Sequence, residues 1–176
     1  EFEYLKDNLW FCTEKIDGTN IRVMWNGKSV SFGGKTDDAQ VPPFLLDKLN
    51  ELFGTTPARK RLSEMFGVDG EVCLYGEGYG NKIQKAGKDY IPDGVSFILF
   101  DVFIGGLWLE RANVEDIANK LSLRVVPEVG IMTLPEAIEL VRGGFGSRFG
   151  SFQAEGLVMK PTTELLTRMG ERIVTK

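Results

Sequence analysis

Histidine is absent from the 176-residue sequence, and only two cysteines are present. The absence of histidine excludes zinc sites built on imidazole, histidine general bases, and serine or cysteine triads that depend on histidine. Cys12 and Cys73 lie in apolar, strand-like stretches without metal-ligand spacing, as is typical of small buried residues. Catalysis in this chain must therefore use lysine, glutamate, aspartate or a bound hard cation.

Long apolar runs and an excess of positive charge are also missing. No run of about 20 apolar residues is present, so the sequence predicts no membrane span, and no signal peptide is visible. With few cysteines and no targeting segment, we expect a cytoplasmic location. The formal net charge is −4, so phosphate binding would have to come from local groups of lysine and arginine.

The hydrophobic pattern predicts a mixed fold. The length suits one domain or at most a tight pair of lobes, and we expect a single domain over residues 1–176. Alternating apolar residues, as in Ile21, Val23 and Trp25, indicate half-buried strands. Strands are predicted near 9–12, 21–25, 29–32, 71–75, 95–104, 107–108, 156–160 and 172–176. Four helices are predicted at 44–53, at 57–66, after an N-cap at Asn113, and at 133–141. Residues 81–89 and 143–151 are predicted as loops. The pattern indicates an α+β fold with largely antiparallel sheets and short helices.

The stretch Lys15-Ile16-Asp17-Gly18-Thr19-Asn20 carries the main chemical signal. A lysine follows an apolar run, a tight Asp-Gly turn comes next, and a strand leads away. This arrangement suits a lysine that performs covalent chemistry. The alternative is a hairpin with an exposed lysine, in which Asp17 only forms the turn.

Four further features accompany Lys15 along the chain. Glu77 is framed by three glycines. Phe97 lies on a strand that ends in a carboxylate. Glu155 and Lys160 bracket another strand, and Lys176 ends the chain. Each feature alone has a simpler explanation. Glu155 and Lys160 could be charges that keep the strand ends soluble, and Phe97 could be an ordinary core residue. The specific signal is the whole set in this order.

In this order, the motifs resemble the covalent nucleotidyltransferase superfamily of polynucleotide ligases and RNA capping enzymes. The segments Phe-Gly-Gly-Lys-Thr, Tyr-Gly-Glu-Gly-Tyr-Gly and Glu-Gly-Leu-Val-Met-Lys are similar to ATP-dependent RNA ligases of the nick-sealing phage type. Asn20 favours RNA ligases, because DNA ligases and capping enzymes usually carry arginine there. The resemblance covers Trp10 to Lys176. It implies an ATP-grasp-like nucleotidyltransferase (adenylation) domain, with a C-terminal domain absent or not included.

The resemblance implies a three-step reaction. Lys15 would attack the α-phosphate of ATP to give a lysyl–AMP adduct and pyrophosphate, with Mg²⁺ or Mn²⁺ as the metal. AMP would then pass to an RNA 5′-phosphate, and a 3′-hydroxyl would displace it to form the phosphodiester. A lysine amine is mostly protonated at neutral pH, so burial under the nucleotide, the metal and nearby cations would have to favour the neutral form.

The resemblance also implies roles for individual residues. The expected nucleotide-binding set is Glu14 near the adenine, Ile16, Asn20, Lys35, Glu77 at the ribose, Phe97 stacked on the base, Glu155, Lys160 and Lys176. Glu155 and Asp17 are the expected metal ligands. RNA ends or a nicked duplex would be the partner, and the chain is expected to be a monomer. The expected cytoplasmic location includes the case of a phage-encoded protein that acts in the cytoplasm of its host.

Two departures from the family pattern keep alternatives open. Lys35 stands where arginine is usual, which removes the bidentate fork for a phosphate. The last motif usually has two lysines one residue apart, and only Lys176 is present. The alternatives are a DNA ligase or capping-type nucleotidyltransferase, and a non-catalytic module that binds RNA ends or nucleotides.

Overall fold

The computed structural model describes residues 2–68 and 70–176. Its strands are β1 (Trp10–Glu14), β2 (Thr19–Trp25), β3 (Val30–Gly33), β4 (Val72–Gly80), β5 (Val95–Ile104), β6 (Leu107–Trp108), β7 (Arg124–Val125), β8 (Glu128–Met132) and β9 (Leu157–Pro161). Its α-helices are α1 (Phe2–Leu5), α2 (Pro43–Leu49), α3 (Thr56–Phe66), α4 (Gly87–Tyr90), α5 (Arg111–Leu121) and α6 (Leu134–Gly143), and a π-helical turn, Asn50–Gly54, continues α2.

The described residues divide into two compact units. The terminal unit takes those of Glu1–Ile16 and Val126–Lys176, and the central unit takes those of Asp17–Val125. Each unit has a sheet and a hydrophobic core of its own. Among the helices of the described residues, none has the length and apolar character needed to cross a membrane.

The terminal unit is built on a three-stranded antiparallel sheet with the strand order β8-β1-β9. Trp10 and Cys12 alternate along β1 and are fully buried. They pack with residues of α6 and β9, namely Leu134, Ala137, Leu157 and Met159. The Trp10 indole N–H donates to the Leu5 carbonyl over 3.0 Å, which holds α1 against this core.

The central unit is built on a second sheet with the strand order β3-β2-β4-β5-β6, and β7 pairs with β5 in parallel. Ile21, Val23 and Trp25 of β2 are buried, as the alternating pattern predicts. Their core partners include residues of α2, the π-helical turn, α3 and α5, namely Leu45, Leu49, Phe53, Leu62, Val114, Ile117 and Leu121. The helices thus cover one face of the sheet, and polar residues of β2 and β4 lie on the other.

Most of the predicted elements are confirmed, and the α+β fold with antiparallel sheets is correct. The strand at Val95–Ile104 has the predicted bounds. The Thr133–Glu136 capping box is present, with the Thr133 backbone and hydroxyl both donating to Glu136 over 2.8 Å. Two four-residue helices, α1 and α4, add to the four predicted ones, and α4 begins within the predicted loop 81–89 and ends one residue beyond it.

Three further predictions of local structure are wrong. The strand predicted at 71–75 continues to Gly80, because its glycines serve close packing: a Cβ at Gly78 would lie 2.5 Å from a Leu45 methyl. The segment 172–176 is not a strand and makes only isolated bridges, such as Met159 with Thr175. Asn113 does not cap α5, because its N–H already donates to Glu110, which is the N-cap residue.

Candidate active site

Lys15 lies directly after β1 and contacts Glu155 within the terminal unit. The Lys15 backbone N–H donates to the Gly156 carbonyl over 2.9 Å, which fixes the end of β1 beside the start of β9. The Lys15 Nζ donates to Glu155 Oε1 and forms an ion pair with it. The two side chains are 31% and 37% exposed. The amine is therefore held by a carboxylate yet open to a ligand.

Glu14, the neighbour of Lys15, is a buried carboxylate that binds a distant loop. It is 1% exposed. Its Oε1 accepts from the Ser147 hydroxyl over 2.5 Å, and its Oε2 accepts from the Arg148 backbone N–H over 2.8 Å. Both oxygens thus have partners inside the terminal unit, whereas the sequence predicts that Glu14 lies near an adenine.

Ser147 and Arg148 belong to a hairpin that leads directly into Glu155. Gly146 bridges Gln153, and the Ala154 N–H donates to the Phe145 carbonyl over 2.9 Å. Glu14 therefore fastens this hairpin, residues 145–154, to the strand that ends at Lys15.

The other predicted residues of the terminal unit lie along the same strands. Ile16 is buried. Phe11 of β1 pairs with Lys160 of β9, so their side chains share the sheet face opposite the core. Lys176 is exposed and follows Thr175, which pairs with Met159. The alternation of side chains along β1, along β9 and at the bridge of Thr175 with Met159 places Lys15, Lys160 and Lys176 on the same face, opposite the core.

Asp17 and Gly18 begin the central unit and are bound to the segment 84–90. The Asp17 N–H donates to the Tyr90 hydroxyl, and the Ala86 N–H donates to Asp17 Oδ2, both over 3.3 Å. Gln84 donates to the Gly18 carbonyl over 3.2 Å. A side chain at Gly18 would overlap the Gly78 carbonyl, so the turn requires glycine. Asp17 thus forms the turn and anchors a loop.

Asn20 and Glu77 are direct cross-strand partners on β2 and β4. Both are half-buried and lie on the sheet face opposite the helices, since their neighbours Ile21 and Gly76 face the core. Two polar side chains are therefore placed together where a ligand with hydroxyl groups can bind.

Lys35 is exposed in the loop after β3, and Arg22 holds this loop in place. The Arg22 guanidinium donates to the Gly34 carbonyl over 2.8 Å and to Asp37 over 2.7 Å. The hydrogen bond to Asp37 raises the pKa of Arg22 above its usual value. Arg22 was not among the predicted site residues, although the alternation of β2 puts it on the face of Asn20.

Phe97 lies in the core of the central unit. It is 2% exposed, and its ring meets Phe53 edge-on with centroids 5.5 Å apart. This is the core alternative for Phe97, and no base can reach the ring in this arrangement. By contrast, Phe100 faces no β4 residue, because Tyr75 pairs with Asp101 and Gly76 with Leu99.

Phe100 is half-buried, and it is not among the described residues that pack into either core. Phe100 was not among the site residues predicted from the sequence. It stands next to Asp101, but the strand bulge that leaves it unpaired cannot be read from that spacing.

The structure thus brings some predicted residues together within each unit. Lys15 contacts Glu155 in the terminal unit, and Asn20 pairs with Glu77 in the central unit. Among residues 2–68 and 70–176, no group of three or more His, Cys, Asp or Glu side chains is arranged to hold a metal. A single carboxylate such as Glu155 still fits Mg²⁺, which keeps waters and is completed by phosphates. Asp17 is in a comparable position, since its Oδ2 accepts from Ala86 as the Glu155 Oε1 accepts from Lys15.

Residues 8–176 match the family model described as RNA ligase. No curated protein sequence is significantly similar to the chain.

The fold is similar to solved structures of an RNA ligase from Naegleria gruberi. For a lysine-to-alanine variant with ATP and Mn, the TM-score is 0.71 at 19% identity, covering 92% of this chain and 48% of that chain. For a lysine-to-methionine variant with AMP and Mn, the TM-score is 0.69 at 17% identity, with 92% and 48% covered. For the enzyme with PPi, it is 0.69 at 16% identity, with 99% and 51% covered. The chain spans about half the length of these proteins.

Proposed function

Because the chain belongs to the RNA ligase family, we propose that it catalyses ATP-dependent adenylylation of its own Lys15 as the first step of RNA end joining. The observation that carries this proposal is the pair formed by Lys15 and Glu155. The lysine lies at the end of a strand, is open to a ligand and is held in position by one carboxylate, and it becomes a nucleophile when its ammonium group loses a proton.

The first step balances as a transfer of one nucleotidyl group. The amine loses a proton to solvent, and its nitrogen forms a bond to the α-phosphorus of ATP. The bond from that phosphorus to the bridging oxygen breaks, and pyrophosphate leaves. Glu155 accepts a hydrogen bond from Nζ and so fixes the direction of attack. In the second and third steps, AMP moves to an RNA 5′-phosphate and is displaced by a 3′-hydroxyl.

A divalent metal belongs to this chemistry, and Mn is present in two of the three Naegleria gruberi structures described above. Glu155 is the residue that would hold Mg²⁺ or Mn²⁺, together with waters and phosphate oxygens. When bound, the ion would stabilise the negative charge that develops on the phosphates. Asp17 would contribute through a water, while its Oδ2 continues to accept from the Ala86 N–H.

The remaining roles follow from the placement of each side chain. Asn20 and Glu77, paired across β2 and β4, would bind the ribose hydroxyls. Lys160 and Lys176 would meet phosphates from the sheet face of Lys15, and Lys35 would contact a phosphate of the RNA. Ile16 would support Lys15 from its buried position.

Phe100 replaces Phe97 as the proposed aromatic contact for the adenine, because Phe97 lies in the core. Glu14 would support the site through its hairpin and not through the base. RNA ends or a nicked duplex are the proposed partners, and a monomer in the cytoplasm remains the prediction from the sequence.

The test uses ATP labelled at either the α- or the γ-phosphate, with Mg²⁺ or Mn²⁺. The protein should retain label from the α-position only, and Lys15→Ala should abolish it. Transfer to a 5′-phosphorylated RNA should follow. Binding of ATP without an adduct would instead support a nucleotide-binding module, and label that survives Lys15→Ala would refute the assignment of the nucleophile.

A further inference from the structure

The segment Asn81–Tyr90 of the central unit, here called the basic loop, carries three exposed lysines. Lys82, Lys85 and Lys88 recur at every third position, and Asp89 is the loop's one carboxylate. The chain as a whole has a formal charge of −4, so this local excess of positive charge runs against the composition. An exposed group of like charges binds a polyanion more readily than any neutral ligand.

The lysines of the basic loop differ from four lysines that lie on or beside α1, α2, α3 and α5. Lys6, Lys48, Lys60 and Lys120 each pair with a carboxylate three or four residues away. Lys82, Lys85 and Lys88 form no ion pair with any residue that the structure describes. Their ammonium groups are therefore available to phosphates.

The backbone of the basic loop is fixed by apolar anchors. Ile83 packs against the core of the central unit, and Tyr90 is buried, with its ring edge-on to Tyr79 at 6.0 Å. Lys82 has a left-handed backbone with a φ of 68°. This conformation is uncommon for residues other than glycine, because a Cβ atom makes it sterically unfavourable. The loop thus keeps an exposed cation at a position where glycine would fit more easily.

The basic loop is also bound to the turn that follows Lys15 in the chain. Asp17 and Gly18 make three hydrogen bonds to it, through Tyr90, Ala86 and Gln84. Asp17 is two residues after Lys15 in sequence. The basic loop is therefore anchored, within the central unit, to the residues with which that unit begins.

We propose that the basic loop is a binding surface for the phosphate backbone of the RNA strand, with Lys82, Lys85 and Lys88 as its contacts. The inference rests on the proposed function for the identity of the polyanion. Three cations spaced along a loop suit a chain of phosphates, and contacts of this kind are independent of base sequence. The triphosphate of ATP would be the other source of phosphate, and the experiment separates the two.

The experiment measures binding of a fluorescent, 5′-phosphorylated single-stranded RNA by anisotropy over a series of salt concentrations. One variant carries Lys82→Gln, Lys85→Gln and Lys88→Gln. The control carries Lys6→Gln, Lys60→Gln and Lys120→Gln, which removes the same charge at paired positions. Thermal melts establish that all three proteins are folded.

The loop variant should bind RNA at least ~10-fold more weakly at low salt, and its slope of log K against log salt should fall by about 2, at ~0.7 for each phosphate contact. The control should change the slope by less than about 0.5. Equal losses in both variants would show a general charge effect and overturn the proposal, as would unchanged binding in the loop variant.

Measurements with ATP in the absence of RNA test the role of the basic loop separately from the proposed function. Covalent labelling by ATP without RNA should be the same in the wild-type protein and the loop variant. A loss of ATP binding in the loop variant would assign the lysines to the nucleotide and overturn the RNA proposal. A wild-type protein that binds RNA through the loop but forms no adduct would refute the proposed function alone.

Discussion

Replacing Ser147 by alanine should destabilise the protein through Glu14. The Ser147 hydroxyl donates to a carboxylate that is 1% exposed, and the Arg148 N–H occupies the other oxygen. A hydrogen bond to a charged group contributes about 1.5–3 kcal/mol. For a chain of this length, each kcal/mol shifts the melting temperature by about 2–4 °C. Ser147→Ala should therefore melt about 3–12 °C below the wild type.

The hairpin offers a matched control for this measurement. Ser151 is exposed in the same hairpin and makes no hydrogen bond to a described residue. Ser151→Ala should therefore change stability by less than about 0.5 kcal/mol. In a double-mutant cycle, Glu14→Gln and Ser147→Ala should be non-additive by about 0.5–3 kcal/mol, as expected for contacting residues. Melts of Ser147→Ala and Ser151→Ala that coincide would refute the claim that Glu14 holds the hairpin.

Three further predictions concern the aromatic residues, a cysteine and a helix cap. Phe97→Ala should lower the free energy of unfolding by about 3–5 kcal/mol, as expected for a buried ring. Phe100→Ala should instead weaken ATP binding by about 5- to 150-fold, which corresponds to ~1–3 kcal/mol for a stacked base. Equal ATP affinities of Phe100→Ala and the wild type would refute the stacking role. Burial raises the pKa of Cys12 to about 11, so only about one thiol in a thousand is ionised at pH 8, and alkylation should require unfolding; rapid labelling of the folded protein would contradict this. Hydrogen bonds from Thr133 lower the pKa of Glu136 below 4.5, so their stabilisation is full above pH 4.5 and is lost as the pH falls through the folded-state pKa. Glu136→Ala should accordingly be less stable than the wild type in urea at pH 7, and the gap should close in acid.

Short-range patterns predicted much of the fold because burial imposes them locally. The alternation of Ile21, Val23 and Trp25 gave the correct strand, since one face of β2 lies on the core. The glycines of β4 were misread because glycine also serves close packing, and Gly76 and Gly78 are needed where Phe97 and Leu45 approach the backbone. Composition alone cannot distinguish that use from a flexible loop.

Long-range contacts of the candidate site could not be predicted from local pattern. Ser147 binds Glu14 across 133 positions of the chain, and no spacing rule connects them. The family resemblance indicated Lys15 and Glu155 together, and the structure pairs them. The same resemblance indicated Phe97. A bulge in the pairing of β4 with β5 leaves Phe100 unpaired, while Phe97 faces the core. The division into two units likewise depends on β1 pairing with strands more than 110 residues away.

Site-specific mass spectrometry of the protein after incubation with ATP and Mg²⁺ tests the central claim most directly. We predict an intact mass increased by one AMP, with the modification on the peptide that contains Lys15 and none in Lys15→Ala. AMP on another lysine, or an unmodified protein that nevertheless binds ATP, would contradict the assignment of Lys15 as the nucleophile.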